Sequence, residues 1–327
     1  MDNLTHSLVG WALAETGLKN RTRKGLAACV LGANMPDIDV FFGWAPWAPL
    51  AMHRGFTHGL VGGVLLMPPL LAGLLWLLDR WQARRGAIFR SGLPMHAGWL
   101  VALCYLGALT HPLLDLQNTY AVQLMSPASA RWFHTDGLFI IDAVVWLMLG
   151  LGIWLARKRG RAGRRSSGRP AQAAFGGTVA YILLNVGISQ AAGSYVRGIA
   201  FEPMEGRPIP EATRIFAAPE PLAFWKRDVI VRWDAGGTIT YQHIAYDPLA
   251  RGPRPASPHV SANITDPLVR RAIASSADLR DFLAWSQMPF ARLERQGCSA
   301  VVTVGDARFA GPRMVGSFTR RVEVPAC

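Results

Sequence analysis

The sequence predicts a mainly α-helical integral membrane domain followed by a small, mainly β extracytoplasmic domain. Three observations carry that prediction. Half of the chain is hydrophobic (51%) and its mean hydropathy is positive. Four apolar stretches, 59–78, 97–114, 138–156 and 171–192, are each about as long as a bilayer-crossing helix. From Gly193 onward the spans stop, Pro and Gly become frequent, and short alternating segments begin.

The N-terminal elements are shorter. Residues 2–18 read as a helix with Asp2, His6 and Gly10 on one face. A basic break follows at 19–24, then an apolar run at 25–35 that Pro36 ends. Neither run reaches the roughly 20 residues of a full span. The expectation is a short helical hairpin ahead of four transmembrane helices. The Trp- and Pro-rich stretch 43–49 suits a loop at the lipid interface. No cleavable signal is expected, since Asp2 and His6 stand where a signal carries basic residues.

The predicted organisation is a metal-site membrane domain at 1–156, a basic cytoplasmic linker at 157–170, a last transmembrane helix at 171–192, and a β-rich domain at 193–327. Within the last, 229–233 and 238–246 alternate around an Asp-Ala-Gly-Gly turn and read as a hairpin. Residues 277–285 look helical, and 300–304 and 314–324 read as strands. Cys29 and Cys104 lie in apolar runs and are expected to be small buried residues. Cys298 and Cys327 share the outer domain and are expected to pair, as an oxidising compartment permits.

The formal charge of +13 is compatible with nucleic acid, anionic lipid or topology signals. Its distribution decides. Before residue 193, every Lys and Arg except Arg54 and Arg131 falls at 19–24, 80–90 or 157–169, at the ends of apolar runs. That pattern marks cytoplasmic loops, so no nucleic-acid partner is expected. With those loops inside, Asp2, His6, Asp37, Asp39, His53, His58, His111, Asp115, His134 and Asp136 all fall near the outer face. His96 falls at the inner end. His243 and His259 lie in the β domain and are expected at its surface.

The chemistry centres on residues 34–58. Asp37 and Asp39 follow a proline and, one residue apart, can face one ion. His53 and His58 bracket Arg54 and Gly55. Taken singly, the carboxylates also fit a solvated helix stop, and the histidines fit ordinary interfacial residues. His111 and Asp115, four apart on one helix face, are costly in lipid unless paired or metal-bound. His6 repeats that spacing with Asp2. The expected metal ligands are therefore His6, Asp37, Asp39, His53, His58, His111 and Asp115. Asp2, Thr57, Asp136 and Asp142 are expected to support them. Arg54 and Asp39 are the expected catalytic residues, Arg54 because a guanidinium grips a phosphate bidentately. Carboxylate and imidazole together suit a divalent ion, zinc first and manganese as the alternative.

Met1-Asp2-Asn3-Leu4-Thr5-His6, Pro36-Asp37-Ile38-Asp39, His53-Arg54-Gly55-Phe56-Thr57-His58, His111-Pro112-Leu113-Leu114-Asp115 and Phe139-Ile140-Ile141-Asp142 occur in that order. As a set they resemble the LexA-regulated, inner-membrane-associated metal-dependent hydrolases, the YdjM-like family. The resemblance covers about residues 1–156 and extends loosely beyond. It implies a multi-pass protein of the bacterial inner membrane with a metal-dependent hydrolytic site. Gly59 departs from the serine expected after Thr57-His58, which bears on a supporting hydrogen bond and not on a ligand.

Three functions fit these residues. The first is a membrane-bound metal-dependent hydrolase acting on a lipid or lipid-linked (phospho)ester at the outer face. Its partners are the bilayer and that ester substrate. The second is a metal-binding or transport protein without catalysis, although the polar residues gather at one face and do not descend through the helices. The third is a regulatory module whose β domain binds a protein that the sequence does not identify.

Overall fold

The computed structural model describes residues 1–42, 53–164, 166–198, 211–250, 254–255, 260–310 and 318–327. The predicted loop at 43–49 and His259 lie outside the described residues. The chain forms two compact units that divide at Val186 and Gly187.

The first unit is helical. Helix α1 (Asn3–Glu15) starts at Asp2, whose carboxylate accepts from the Leu4 and Thr5 amides. Such a cap is worth about 1 kcal/mol. Helix α2 (Gly25–Asn34) follows a 3₁₀ turn, and a second 3₁₀ segment, Met35–Phe42, carries the Asp37 box. After the short turn Phe56–His58, a π-helical stretch, Leu60–Leu66, runs into α3 (Met67–Arg84). Then come α4 (Ala97–Asp115), α5 (Ala143–Arg161) and α6 (Arg169–Arg197).

Among the described residues, three helices are long and apolar enough to cross a membrane: Leu60–Arg84, Ala97–Asp115 and Arg169–Arg197. Four spans were expected. The difference is α5, whose last turns carry Arg157, Lys158, Arg159 and Arg161. Its uncharged part, 143–156, is about 21 Å of helix at 1.5 Å per residue. A hydrocarbon core is about 30 Å thick. Large apolar side chains point outward along these helices, including Leu70, Leu74, Leu77, Leu106, Leu109, Leu147, Leu151 and Leu183. An apolar exterior of that extent suits lipid.

Glycines set the closest packing. A β-carbon at Gly10 would sit 2.6 Å from the Cys29 carbonyl oxygen. One at Gly107 would sit 2.5 Å from the same oxygen, and one at Gly32 would sit 2.8 Å from the Cys104 carbonyl. Helices α1 and α4 therefore press directly on α2, as small residues allow in membrane interfaces. Cys29 and Cys104 are free and buried at this contact.

The ends of the unit differ chemically. Arg23 grips Asp79 with Nε and Nη2, each 2.8 Å from a carboxylate oxygen. Lys19 and Arg157 face Glu15, which also accepts from Trp11 Nε1. These pairs join the ends of α1 and α5 and the loop before α2 to α3. The Asp and His boxes gather at the opposite ends of α2 and α4.

The second unit is mainly β, with two sheets. In the first, β1 (Glu211–Glu220), β2 (Ala223–Ala235) and β3 (Thr238–Tyr246) form an antiparallel meander, with β4 (Arg254–Pro255) and β5 (Val260–Ser261) both on β3. Helices α7 (Pro267–Ser275) and α8 (Ala277–Trp285) precede the second sheet, β6 (Pro289–Gln296), β7 (Ser299–Asp306) and β8 (Thr319–Pro325). Phe216, Ile230, Tyr241, Met288 and Phe290 form a core that includes both sheets. Ala192 and Val196 of α6 pack on the other face of the first sheet, against Val229, Val231 and Trp233. Cys298 and Cys327 are disulfide-bonded. His243 was expected at the surface and is instead buried, because it bonds Asp228 Oδ2 at 2.8 Å and the Ala307 carbonyl at 2.9 Å.

Candidate metal centre

Four separate segments bring Asp and His to one point in the first unit. The end of α2 and its 3₁₀ extension supply Asp37 and Asp39. The turn before α3 supplies His53, Arg54, Thr57 and His58. The last turns of α4 supply His111 and Asp115, and α1 supplies His6.

His111 is fixed first. Its Nδ1 lies 2.7 Å from the Ala33 carbonyl oxygen. A carbonyl only accepts, so Nδ1 carries the proton. The other nitrogen, Nε2, then faces Asp115 Oδ2 at 3.3 Å and Asp37 Oδ1 at 3.6 Å. Among the described residues it has no hydrogen-bond partner, and the same is true of Asp37 Oδ2 and of both ring nitrogens of His6. His58 joins from the other side. Its Nε2 lies 3.1 Å from Asp37 Oδ1 and 3.4 Å from Asp115 Oδ2. Its Nδ1 lies 3.1 Å from Thr57 Oγ1, which gives its own proton to Asp39 Oδ2 at 2.6 Å. Thr57 can therefore accept from Nδ1–H and leave the His58 Nε2 lone pair turned inward.

His6 stacks on His111 with ring centroids 3.8 Å apart, and its Nε2 is 3.5 Å from Asp115 Oδ1. Arg54 Nη1 is 2.6 Å from Asp115 Oδ2, and the Met1 amino group also bonds Asp115. His53 Nδ1 lies 2.8 Å from Asp39 Oδ1, with Nε2 3.8 Å from Asp37 Oδ1.

Lone pairs facing lone pairs in a buried site require a cation between them, either a proton or a metal ion. Burial opposes a proton on His58. It pushes the His58 pKa down to about 4 despite the opposing hydrogen bond to Asp37. Neutral imidazoles and ionised carboxylates are the ligand forms that metals take. Among the described residues, three sets have one donor atom each within 4.8 Å of one another: His6, His111 and Asp115; Asp37, His58 and His111; Asp39, His53 and His58. Overlap through His111 and His58 makes them one continuous cluster. The donor set thus fits one or two divalent ions.

The cluster holds all seven residues read from the sequence as ligands, with Thr57 and Arg54 in contact. The other expected supports bond to different groups. Asp2 spends its carboxylate on capping α1. Asp142 caps α5 through the Val144 and Val145 amides and accepts from Tyr181. Asp136 pairs with His134 at 3.1 Å. Gly59 sits under the loop at 123–126: a β-carbon there would lie 2.9 Å from the Ser126 carbonyl. Its lack of a side chain admits that loop. The Ala33 carbonyl was not foreseeable as a main-chain partner, but the Gly107–His111 spacing of four marked the face that presses on α2.

Comparison with curated proteins and with solved structures finds no match for this chain. One family model, described as YdjM inner membrane protein, matches residues 1–192, which contain every residue of the cluster. On that match, over more than half of its length, the chain belongs to the YdjM inner membrane protein family.

Proposed function

We propose that this protein is a membrane-embedded metal-dependent hydrolase acting on a lipid or lipid-linked (phospho)ester. The observation that carries the reading is His111 Nε2, a lone pair held by Ala33 against Asp37 and Asp115 in a buried site. Asp37, His58, His111 and Asp115 would hold the ion, with His6 and with Asp39 and His53 at its two sides. Zinc suits the imidazole and carboxylate set, and manganese is the alternative. Such an ion lowers the pKa of a bound water and polarises an ester.

The chain supplies the rest. Arg54 places positive charge beside the cluster, where negative charge develops on a phosphoryl oxygen. Asp39 orients His53 on the side that remains half-exposed, whereas His6, His58, His111 and Asp115 are sealed. Substrate would approach from the His53 side. His111 lies about 20 Å along α4 from its start. That depth, read with the basic clusters as cytoplasmic, supports a centre at the outer leaflet and a β unit outside. The same reading takes α5 as a fourth span, completed by its basic end at the inner headgroups. A lipid-like substrate follows from that position.

Complete sealing of His6, His111 and Asp115 favours a second reading, a metal module without turnover. One experiment separates the two. Purified protein is analysed for bound metal and assayed on phosphoester and carboxylester lipids. Hydrolysis lost in His58→Ala and Asp37→Ala together with metal, but kept in the exposed-site control Glu294→Ala, supports the hydrolase. Metal without turnover on any ester supports the second reading, and full metal content in both variants rejects a metal centre at this cluster.

A further inference from the structure

The β unit contains a second concentration of charge, opposite in sign and far from any imidazole of the metal cluster in sequence. Arg214 of β1 stands in register with Arg232 of β2, and Arg232 with Tyr241 of β3. Directly paired residues on antiparallel strands point to the same face, so two guanidinium groups and a phenol form one rung. Like charges directly opposite each other in a sheet are destabilising. A register shift between Ala212 and Arg214 immediately precedes the rung, and such bulges re-aim the side chain that follows.

The next rung on that face, Phe216, Ile230 and His243, is buried. The arginine rung therefore lies at the margin of the core shared with the second sheet. A third guanidinium comes from that side. Arg308 is buried over the rings of Phe216, Trp285 and Phe309. Asp306, which faces Arg308 and lies near Arg214, is already spent. It bonds Arg308 through both oxygens and also accepts from Ser286 Oγ and the Gln287 amide. Among the described residues Arg214 has one polar bond, to Gln287 Oε1. Arg232 Nε is buried without a hydrogen-bond partner among the described residues. Burial and the Arg308 guanidinium push the Arg214 pKa down, as expected where positive charge is in excess.

We propose that Arg214 and Arg232, backed by Arg308, form a binding site for a phosphate-type oxyanion in the β unit. Guanidinium forks match such anions bidentately. An anion between Arg214 and Arg232 would give Arg232 Nε its missing acceptor and convert a repulsive pair into two attractive contacts. Tyr241 donates its hydroxyl proton to the Pro289 carbonyl at 2.9 Å, so it walls the site and leaves the arginines as donors.

The test measures binding of inorganic phosphate to the purified full chain, stripped of metal with a chelator, against chloride at matched ionic strength. Glycerol 1-phosphate serves as a second probe and distinguishes an organic phosphomonoester source from the free ion. Expected is saturable binding of one probe per chain, weakened at least about tenfold in Arg232→Gln and in Arg214→Gln, and unchanged in His58→Ala. An intact Cys298–Cys327 bridge and unaltered far-UV dichroism certify folding of each variant, and two variants on separate strands guard against loss of either. Tighter glycerol phosphate binding that depends on Arg232 supports the proposal with the ester as ligand. Binding equal in wild type and both arginine variants overturns it, as does no binding of either probe, or binding lost in His58→Ala alone.

Discussion

The Ala33 carbonyl oxygen lies 2.7 Å from His111 Nδ1, and this one bond turns a helix contact into a site. Helix α4 comes that close to α2 because Gly107, one turn before His111, leaves room for the Cys29 carbonyl. The chain of cause runs from a residue without a side chain to a fixed tautomer.

That chain makes Gly107 testable without touching a ligand. A β-branched residue there must push α4 away from α2, an overpacking that costs about 1–3 kcal/mol. Gly107→Val should lower metal affinity by roughly 10–100-fold, the range for lost orienting partners, in a chelator competition titration. Gly98→Val is the matched control on the same helix, since nothing lies near its missing β-carbon. Equal affinity in both variants would separate helix spacing from ligand geometry.

Thr57 links two parts of the cluster through one hydroxyl, bonding Asp39 and standing beside His58 Nδ1. Thr57→Val keeps the shape and removes the hydroxyl. Metal affinity should fall by roughly 10–100-fold, and Thr57→Ser should restore most of it. Wild-type affinity in the valine variant would show that the hydroxyl orients nothing.

How much of this was legible in the sequence follows from the physics of each signal. The seven ligand candidates stood out because carboxylates and imidazoles are costly in apolar runs, at roughly 2.5–3.5 kcal/mol for an aspartate at a helix centre. The β2–β3 hairpin was readable from its alternation and its Gly236-Gly237 turn, and α8 from its apolar spacing. Strand β1 escaped notice, since Glu211 and Arg214 interrupt its apolar pattern. Asp142 looked like a ligand or a ligand's support because a charge at the head of an apolar run needs a partner; the amides of Val144 and Val145 are that partner. His243 was read as a surface residue because a lone histidine in a polar stretch does not announce Asp228 and Ala307. Main-chain partners carry no sequence signal.

Orientation is accessible to labelling. Cysteine at Ala162, in the basic linker, should be protected from an impermeant thiol reagent in spheroplasts, and cysteine at Thr238, at the β2–β3 turn, should react. The native cysteines do not interfere, since Cys29 and Cys104 are buried and Cys298 and Cys327 are bonded. The reverse pattern would put the β unit and the metal cluster in the cytoplasm and remove the argument for an outer-leaflet substrate.

His243 gives the β unit a pH dependence of definite sign. Burial pushes its pKa down, but the hydrogen bond and charge of Asp228, with the Ala307 carbonyl, push it up further, so the folded value exceeds the ordinary one. The folded unit then binds more protons than the unfolded chain between those two values. Stability must therefore fall as pH rises through that window. The contribution is fully present below the unfolded value of about 6.5 and absent above the raised folded value. Urea midpoints of the β unit, read by pulse proteolysis of the full chain, should be higher at pH 6 than at pH 8.5. His243→Gln removes the titrating group and should flatten that difference, while Asp228→Asn should shrink it by removing the charge that raises the pKa. A midpoint that rises with pH in the wild type, or an unchanged slope in His243→Gln, would assign the dependence to other groups.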